Sequence, residues 1–233
     1  MNPERSTGRQ PVPEANEVLL LLEFLADRYP QILFAGWQHF SLVFQCLVLA
    51  TVLAIVIAAL TYRSRTLNGI ANGISAVGLT LPSFALIGLL IAPLGFGTLP
   101  AIIVVAFYAT LPILRNALVG LSGISPSVVE SARGVGMGRV RSLLRVELPL
   151  AWPVILTGVR VSAQMVIGIA AIAAYALGPG LGGFIFNGLS RLGGANSLES
   201  VVVGVVGVVL LALVLDLLLL GLGRLTIPRG IRV

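Results

Sequence analysis

Long apolar stretches separated by short polar ones set the pattern of this chain. Five of them stand out, at about Ser41 to Tyr62, Ile70 to Leu94, Leu99 to Leu121, Leu150 to Tyr175 and Leu198 to Gly223. Each approaches or exceeds the ~20 residues with which a helix crosses the hydrocarbon core of a bilayer. The pattern predicts an all-α, polytopic membrane helix bundle with five core spans, its boundaries uncertain by roughly 2–4 residues.

The segment before the first span behaves differently. Leu19 to Leu25 is apolar but too short to cross, Glu17, Glu23, Asp27 and Arg28 interrupt it, and Pro30 disfavours helix continuation. Residues 17–37 are expected to form an amphipathic helix in the outer interface, with Trp37 and His39 near the membrane–water boundary; a poorly formed sixth span is the alternative. Residues 1–16 read as a disordered tail without the layout of a secretory signal. Residues 38–224 form the transmembrane domain and 225–233 a cytoplasmic tail.

Composition removes the soluble alternatives. Of 233 residues, 57% are hydrophobic and 10% charged, against about 25% charged in soluble domains. The net charge of +6 comes entirely from Arg, since the chain has no Lys. The Arg residues lie between the apolar runs rather than in one patch, a distribution that encodes orientation and not nucleic-acid binding. Arg63 and Arg65 occupy the first loop, Arg133, Arg139, Arg141 and Arg145 the third, and Arg229 and Arg232 the C-terminal tail. Residues 95–98 have none, and the fourth loop has only Arg191. The positive-inside rule therefore puts the Arg-rich loops in the cytosol, the N-terminus outside and the C-terminus inside.

Within the spans, Gly78, Gly88, Pro82, Pro93 and Pro112 imply kinked, closely packed helices. The lone Cys46 excludes an intrachain disulfide and reads as a small core residue. His39 reads as a packing residue. Tyr108, Trp152 and Tyr175 are aromatic candidates for a translocation path, helix packing explaining them equally well. Arg115, Arg160 and Asp216 are charges inside spans, which tend to pair or mark paths. At ~1.5 Å per residue they lie about 9, 15 and 10 Å from the inner ends of their helices, depths that suggest an Arg–Asp pair bracing an inward gate. Snorkelling to the inner interface is an equal alternative for Arg115.

The third loop, residues 125–149, is too polar to span. Ser125 suits an N-cap with Pro126 at the first helical position. A short helix to Arg133 is followed by a turn at Gly134, Gly136 and Gly138. A second, amphipathic helix should then carry Val140, Leu143, Leu144 and Leu148 on one stripe, and Pro149 should end it.

This loop resembles the EAA loop of ABC-importer permeases, in which Glu and two small residues are followed at fixed spacing by Gly, an aliphatic residue and Leu-Pro. Glu130, Ser131, Ala132, Gly136, Val146, Leu148 and Pro149 occupy those places, with Ser131 replacing the first Ala and Val146 the Ile. Over about residues 20–228 the chain is similar to permeases of osmoprotectant uptake systems. The similarity rests on Trp37-Gln38-His39, Thr80-Leu81-Pro82-Ser83, Pro100-Ala101-Ile102-Ile103, the run from Leu111 to Asn116, Ser131 to Met137, Val146 to Leu150, Gly158-Val159-Arg160 and Gly178 to Gly182. Methionine and other amino-acid permeases share several of these.

The resemblance implies a type I ABC importer permease fold whose first loop helix docks into a cleft of an ATPase subunit. Glu130 would fix the loop or contact the ATPase, and Ala132, Arg133 and Gly136 would lie at the contact, with Ser131, Gly134 and Met137 as further coupling residues. It implies as partners two ATPase subunits, a second permease copy or paralogue, an extracytoplasmic substrate-binding protein and membrane lipid, in the inner membrane of a prokaryote. The solutes would be glycine betaine, carnitine, choline or proline, or alternatively amino acids or other small solutes. No cofactor is expected in this chain: without Lys it has no Walker phosphate-binding loop, so ATP and Mg belong to the partner ATPase and the chain is not itself an enzyme. An ion-coupled carrier would call for midplane acids or half-repeats, and an intramembrane enzyme for a metal or nucleophile constellation; the sequence offers neither.

Overall fold

The computed structural model describes residues 14–227, with side chains from residue 18. These residues are helical throughout, without strands among those described. The helices are α1 (Glu14–Thr61), α2 (Arg65–Thr80), α3 (Ser83–Leu94), α4 (Thr98–Ser122), α5 (Pro126–Gly134), α6 (Arg139–Ser142), α7 (Leu148–Ala173), α8 (Gly182–Ser190) and α9 (Ser197–Thr226). The expected tail at residues 1–16 lies largely outside the described residues, and Arg229 and Arg232 lie wholly outside them.

Helices α4 and α7 form the centre and share the most extensive interface. Ile113, Ala117, Ile155 and Val166 are fully buried there, and the Ser162 hydroxyl donates to the Ala109 carbonyl at 2.7 Å. Close approach depends on Gly158: a Cβ there would sit 2.7 Å from Asn116 Cβ and 3.1 Å from Ile113 Cα. Small residues substitute for the hydrophobic effect in lipid by letting backbones meet. Helix α1 packs on α4, and α9 closes the other side against α7 and α8.

Four helical stretches are long and apolar enough to cross a membrane unbroken, those built on α1, α4, α7 and α9. The expected second span, Ile70 to Leu94, is instead the bent pair α2–α3, turned by 92° at Leu81-Pro82. A residue before proline is pushed out of the α region, and Leu81 is extended at φ −67°, ψ 133°. The described residues therefore hold four helices long enough to cross unbroken and one bent helix pair.

Pro30 does not interrupt α1 as expected. Residues 17–37 are the N-terminal arm of the helix that also supplies the first span. Proline removes one backbone hydrogen bond, but the buried face continues on both sides of it, through Phe24, Ala35, His39, Leu42, Val43, Cys46, Ala50, Ala54 and Ala58. At ~1.5 Å per residue this helix is about 72 Å long, far more than one bilayer crossing needs.

Pro149 does not end a helix either. Helix α6 passes into one π-helical turn, Leu143–Glu147, and directly into α7 with Pro149 in its first turn. Widening the turn ahead of proline relieves the clash of its ring with the preceding carbonyls. Helix α8 answers to no sequence expectation. At Gly182–Ser190 it folds back on α9, where the Ser200 hydroxyl donates to the Phe184 carbonyl at 2.8 Å.

Candidate functional site

The loop between α4 and α7 is largely exposed, with Ala132 the one buried residue between Gly123 and Arg141. Pro126 starts α5, but the Ser125 side chain caps no backbone N–H; its hydroxyl meets that of Ser127 at 2.7 Å. Glu130, Ser131, Arg133, Gly134 and Gly136 are exposed, Met137 is half-buried and Ala132 is buried. The helix is closed by Val135 N–H donating to the Ser131 carbonyl at 3.2 Å and Met137 N–H to the Ala132 carbonyl at 3.0 Å. Gly136 has φ +81°, a left-handed conformation natural to glycine. Of the expected apolar stripe, Leu143 and Leu148 are partly buried, whereas Val140 and Leu144 point outward. With Val135, 75% exposed, they leave an apolar patch beside Arg139 and Arg141.

At the root of this loop lies a group that sequence reasoning passed over. Glu147 is 1% exposed. Its Oε2 accepts from the Tyr62 hydroxyl at 2.5 Å, and its Oε1 accepts from Arg63 Nη2 and Ser142 Oγ, both at 2.8 Å. Arg63 Nε also donates to the Tyr62 oxygen. The one sequence signal was a carboxylate beside Leu-Pro, at a place where charge must be paired if buried.

Of the three charges inside spans, Arg160 and Asp216 meet as an Arg–Asp pair and Arg115 stands apart from them. Arg160 of α7 holds Asp216 of α9 through Nη2 at 3.0 and 3.1 Å and Nε at 3.1 Å, with Gln164 adding a 3.3 Å contact. Arg115 is exposed on α4 and makes no ion pair among the described residues.

The aromatic candidates also separate. Tyr108 is 3% exposed, and its hydroxyl donates to the Leu81 carbonyl, one freed by the α2–α3 break; it secures the break and does not line an open path. Trp152 Nε1 donates to Thr226 Oγ1 at 2.8 Å and fastens α7 to α9. Tyr175 is 48% exposed, with ring centroids 4.8 Å from Phe84 and 5.9 Å from Phe186. His39 is fully buried among the helices, with Nε2 3.1 Å from the Ile167 carbonyl. Cys46 is buried beside the Ile102 carbonyl. Among the described residues no group of His, Cys, Asp and Glu could hold a metal.

Comparison with known proteins agrees with this geometry. Residues 50–227 match the family model described as binding-protein-dependent transport system inner membrane component. The chain is 34% identical over 212 residues to the choline transport system permease protein of Bacillus subtilis, covering 91% of this chain and 96% of the relative. It is 36% identical over 212 residues to the carnitine transport permease protein of Listeria monocytogenes, covering 91% and 95%. The osmoprotectant import permease protein OsmW of Salmonella typhimurium is 36% identical over 217 residues, covering 91% and 99%. In fold, the chain matches a chain of the inward-facing MetNI methionine ABC transporter with a TM-score of 0.67 at 20% identity, covering 87% of this chain and 96% of that one. The protein is an all-helical, multi-pass permease that belongs to the family of binding-protein-dependent transport system inner membrane components.

Proposed function

We propose that this permease is the translocation subunit of an ATP-driven importer for osmoprotectants of the glycine betaine, carnitine, choline or proline class. The observation that carries the reading is the loop between α4 and α7: an exposed helix, a glycine turn and an outward apolar patch, Val135, Val140 and Leu144, next to arginines. An exposed apolar patch rimmed by charge fits a protein partner. One of two ATPase subunits would dock there, at Glu130, Ser131, Ala132, Arg133, Gly134, Gly136 and Met137, and the two would bind ATP and Mg. A second permease copy or paralogue would complete the path, and a binding protein outside would deliver the solute. The loop would face the cytosol, with the N-terminus outside.

Tyr175, with Phe84 and Phe186, forms a partly exposed aromatic cluster. Aromatic faces attract quaternary ammonium groups, which supports placing the solute path beside Tyr175 rather than Tyr108. The Arg160–Asp216 pair would brace the α7–α9 contact near the inward gate.

The test is uptake into proteoliposomes holding the permease, its ATPase and its binding protein. ATP-dependent uptake of radiolabelled glycine betaine, carnitine or choline, competed by one another and not by methionine, is expected. Uptake of methionine instead would replace the substrate class, and uptake without ATP would replace the mechanism.

A further inference from the structure

Glu147 combines a buried charge with partners far away in sequence. Its donors Tyr62 and Arg63 lie in the turn between α1 and α2, 85 and 84 residues earlier. Ser142 donates from the end of α6, immediately before the π-helical segment that ends in Glu147. A buried carboxylate is costly unless its lone pairs are occupied, and here both oxygens are engaged. The guanidinium of Arg63 also lies over the Tyr62 ring, 5.1 Å from its centroid, so the two donors are held relative to each other.

The same turn reaches the other root of the loop. Asn68 of α2 donates to Ser122, the last residue of α4, at 2.9 Å. Between Gly123 and Arg141 only Ala132 is buried. The loop is thus free along its length and fastened at both roots to the inner ends of α1 and α2. Helix α7 packs chiefly on α4 and much less on α1. The Glu147 contacts add a direct tie from α7 to the α1–α2 turn, beside the packing of α1 and α2 on α4.

We propose that Glu147 is a positioning residue that latches the coupling loop to the α1–α2 turn, so that displacement of α5 reaches α1 and α2 as well as α7. The proposal rests on the importer reading above. Tyr62, Arg63 and Ser142 complete the latch, and the π-helical turn beside Pro149 sets where the carboxylate stands. A side chain that only stabilises the fold would alter how much transporter is made. A latch alters how much solute each hydrolysed ATP moves.

The experiment measures that ratio for the assembled transporter in proteoliposomes, for wild type, Glu147→Gln, Arg63→Gln and the double variant. Arg63 is partly exposed, so Arg63→Gln keeps the test informative where a Glu147 variant folds poorly. Solute moved per ATP is expected to fall about tenfold in either single variant, the effect of losing one charge-assisted hydrogen bond from one of two states. The double variant should be no worse than Glu147→Gln. A coupled wild type with an unchanged ratio in both single variants, whatever their yield, would overturn the latch. A wild type without ATP-driven uptake would sink the importer reading and the latch with it.

Discussion

Arg160 and Asp216 meet across the α7–α9 interface as a forked pair, one guanidinium nitrogen touching both carboxylate oxygens at 3.0 and 3.1 Å. The pair joins the Trp152–Thr226 hydrogen bond in tying α9 to α7, and it matters because only 17% of the most apolar stretch of α9 is buried. Removing Asp216 strands an arginine in a medium where an unpaired charge costs about 2.5–3.5 kcal/mol. Asp216→Ala is therefore expected to lower the thermal stability of the purified permease and its transport. The exchanged pair Arg160→Asp with Asp216→Arg should recover part of both. Recovery of neither would show that the contact has no role of its own.

Gly136 gives a graded expectation. Nothing lies within 4 Å of a Cβ built there, so a substitution meets backbone strain at φ +81° and no clash. Strain of this kind costs about 1–3 kcal/mol, with Asn tolerated better than Ala and Ala better than Val. Co-purification of the ATPase subunit should decline in the order Gly, Asn, Ala, Val. Equal recovery with Val would remove the turn from the docking surface.

Tyr108 and Tyr175 should separate in their effects. Tyr108→Phe leaves the Leu81 carbonyl without its donor, a loss of about 0.5–1.5 kcal/mol, and should lower stability while leaving solute preference alone. Tyr175→Ala removes a half-exposed ring and should raise the KM for quaternary ammonium solutes with little change in stability. Thermal unfolding in detergent and uptake kinetics distinguish the two outcomes; the reverse pattern would place the path at Tyr108.

Three prolines illustrate how far the fold could be read from the sequence. The apolar runs located the four unbroken helices long enough to cross a bilayer, because lipid demands continuous apolar length, while the second run became the bent α2–α3 pair. The consequence of each proline depended on what surrounds it in space. Pro30 leaves α1 intact because Phe24 and His39 continue one buried face past it. Pro82 breaks its helix because Tyr108 of α4 receives the released Leu81 carbonyl. Pro149 is absorbed by a π-helical turn that also buries Glu147. The glycine turn of the loop was legible because φ > 0 has a residue signature. The partners of Glu147 were not, since Tyr62 and Arg63 lie a third of the chain away.

Gly158 tests the central packing directly. A Cβ at this position would approach Asn116 Cβ to 2.7 Å and the backbone of Ile113 to 3.1 Å, so the helices must separate. Overpacking of this kind costs about 1–3 kcal/mol. Gly158→Ala should lower the melting temperature more than Gly168→Ala on the same helix, where nothing lies within 4 Å. Equal effects would mean that α4 and α7 are not in such close contact.

The most direct measurement concerns which side of the membrane the loop of α5 and α6 occupies. Arg139→Cys adds an exposed thiol to a chain whose only native cysteine, Cys46, is buried. A maleimide that cannot cross the bilayer should leave it unlabelled in intact cells, label it once the membrane is opened, and label it less when the ATPase subunit is bound. Labelling from outside intact cells would contradict a motor-coupled loop in the cytosol.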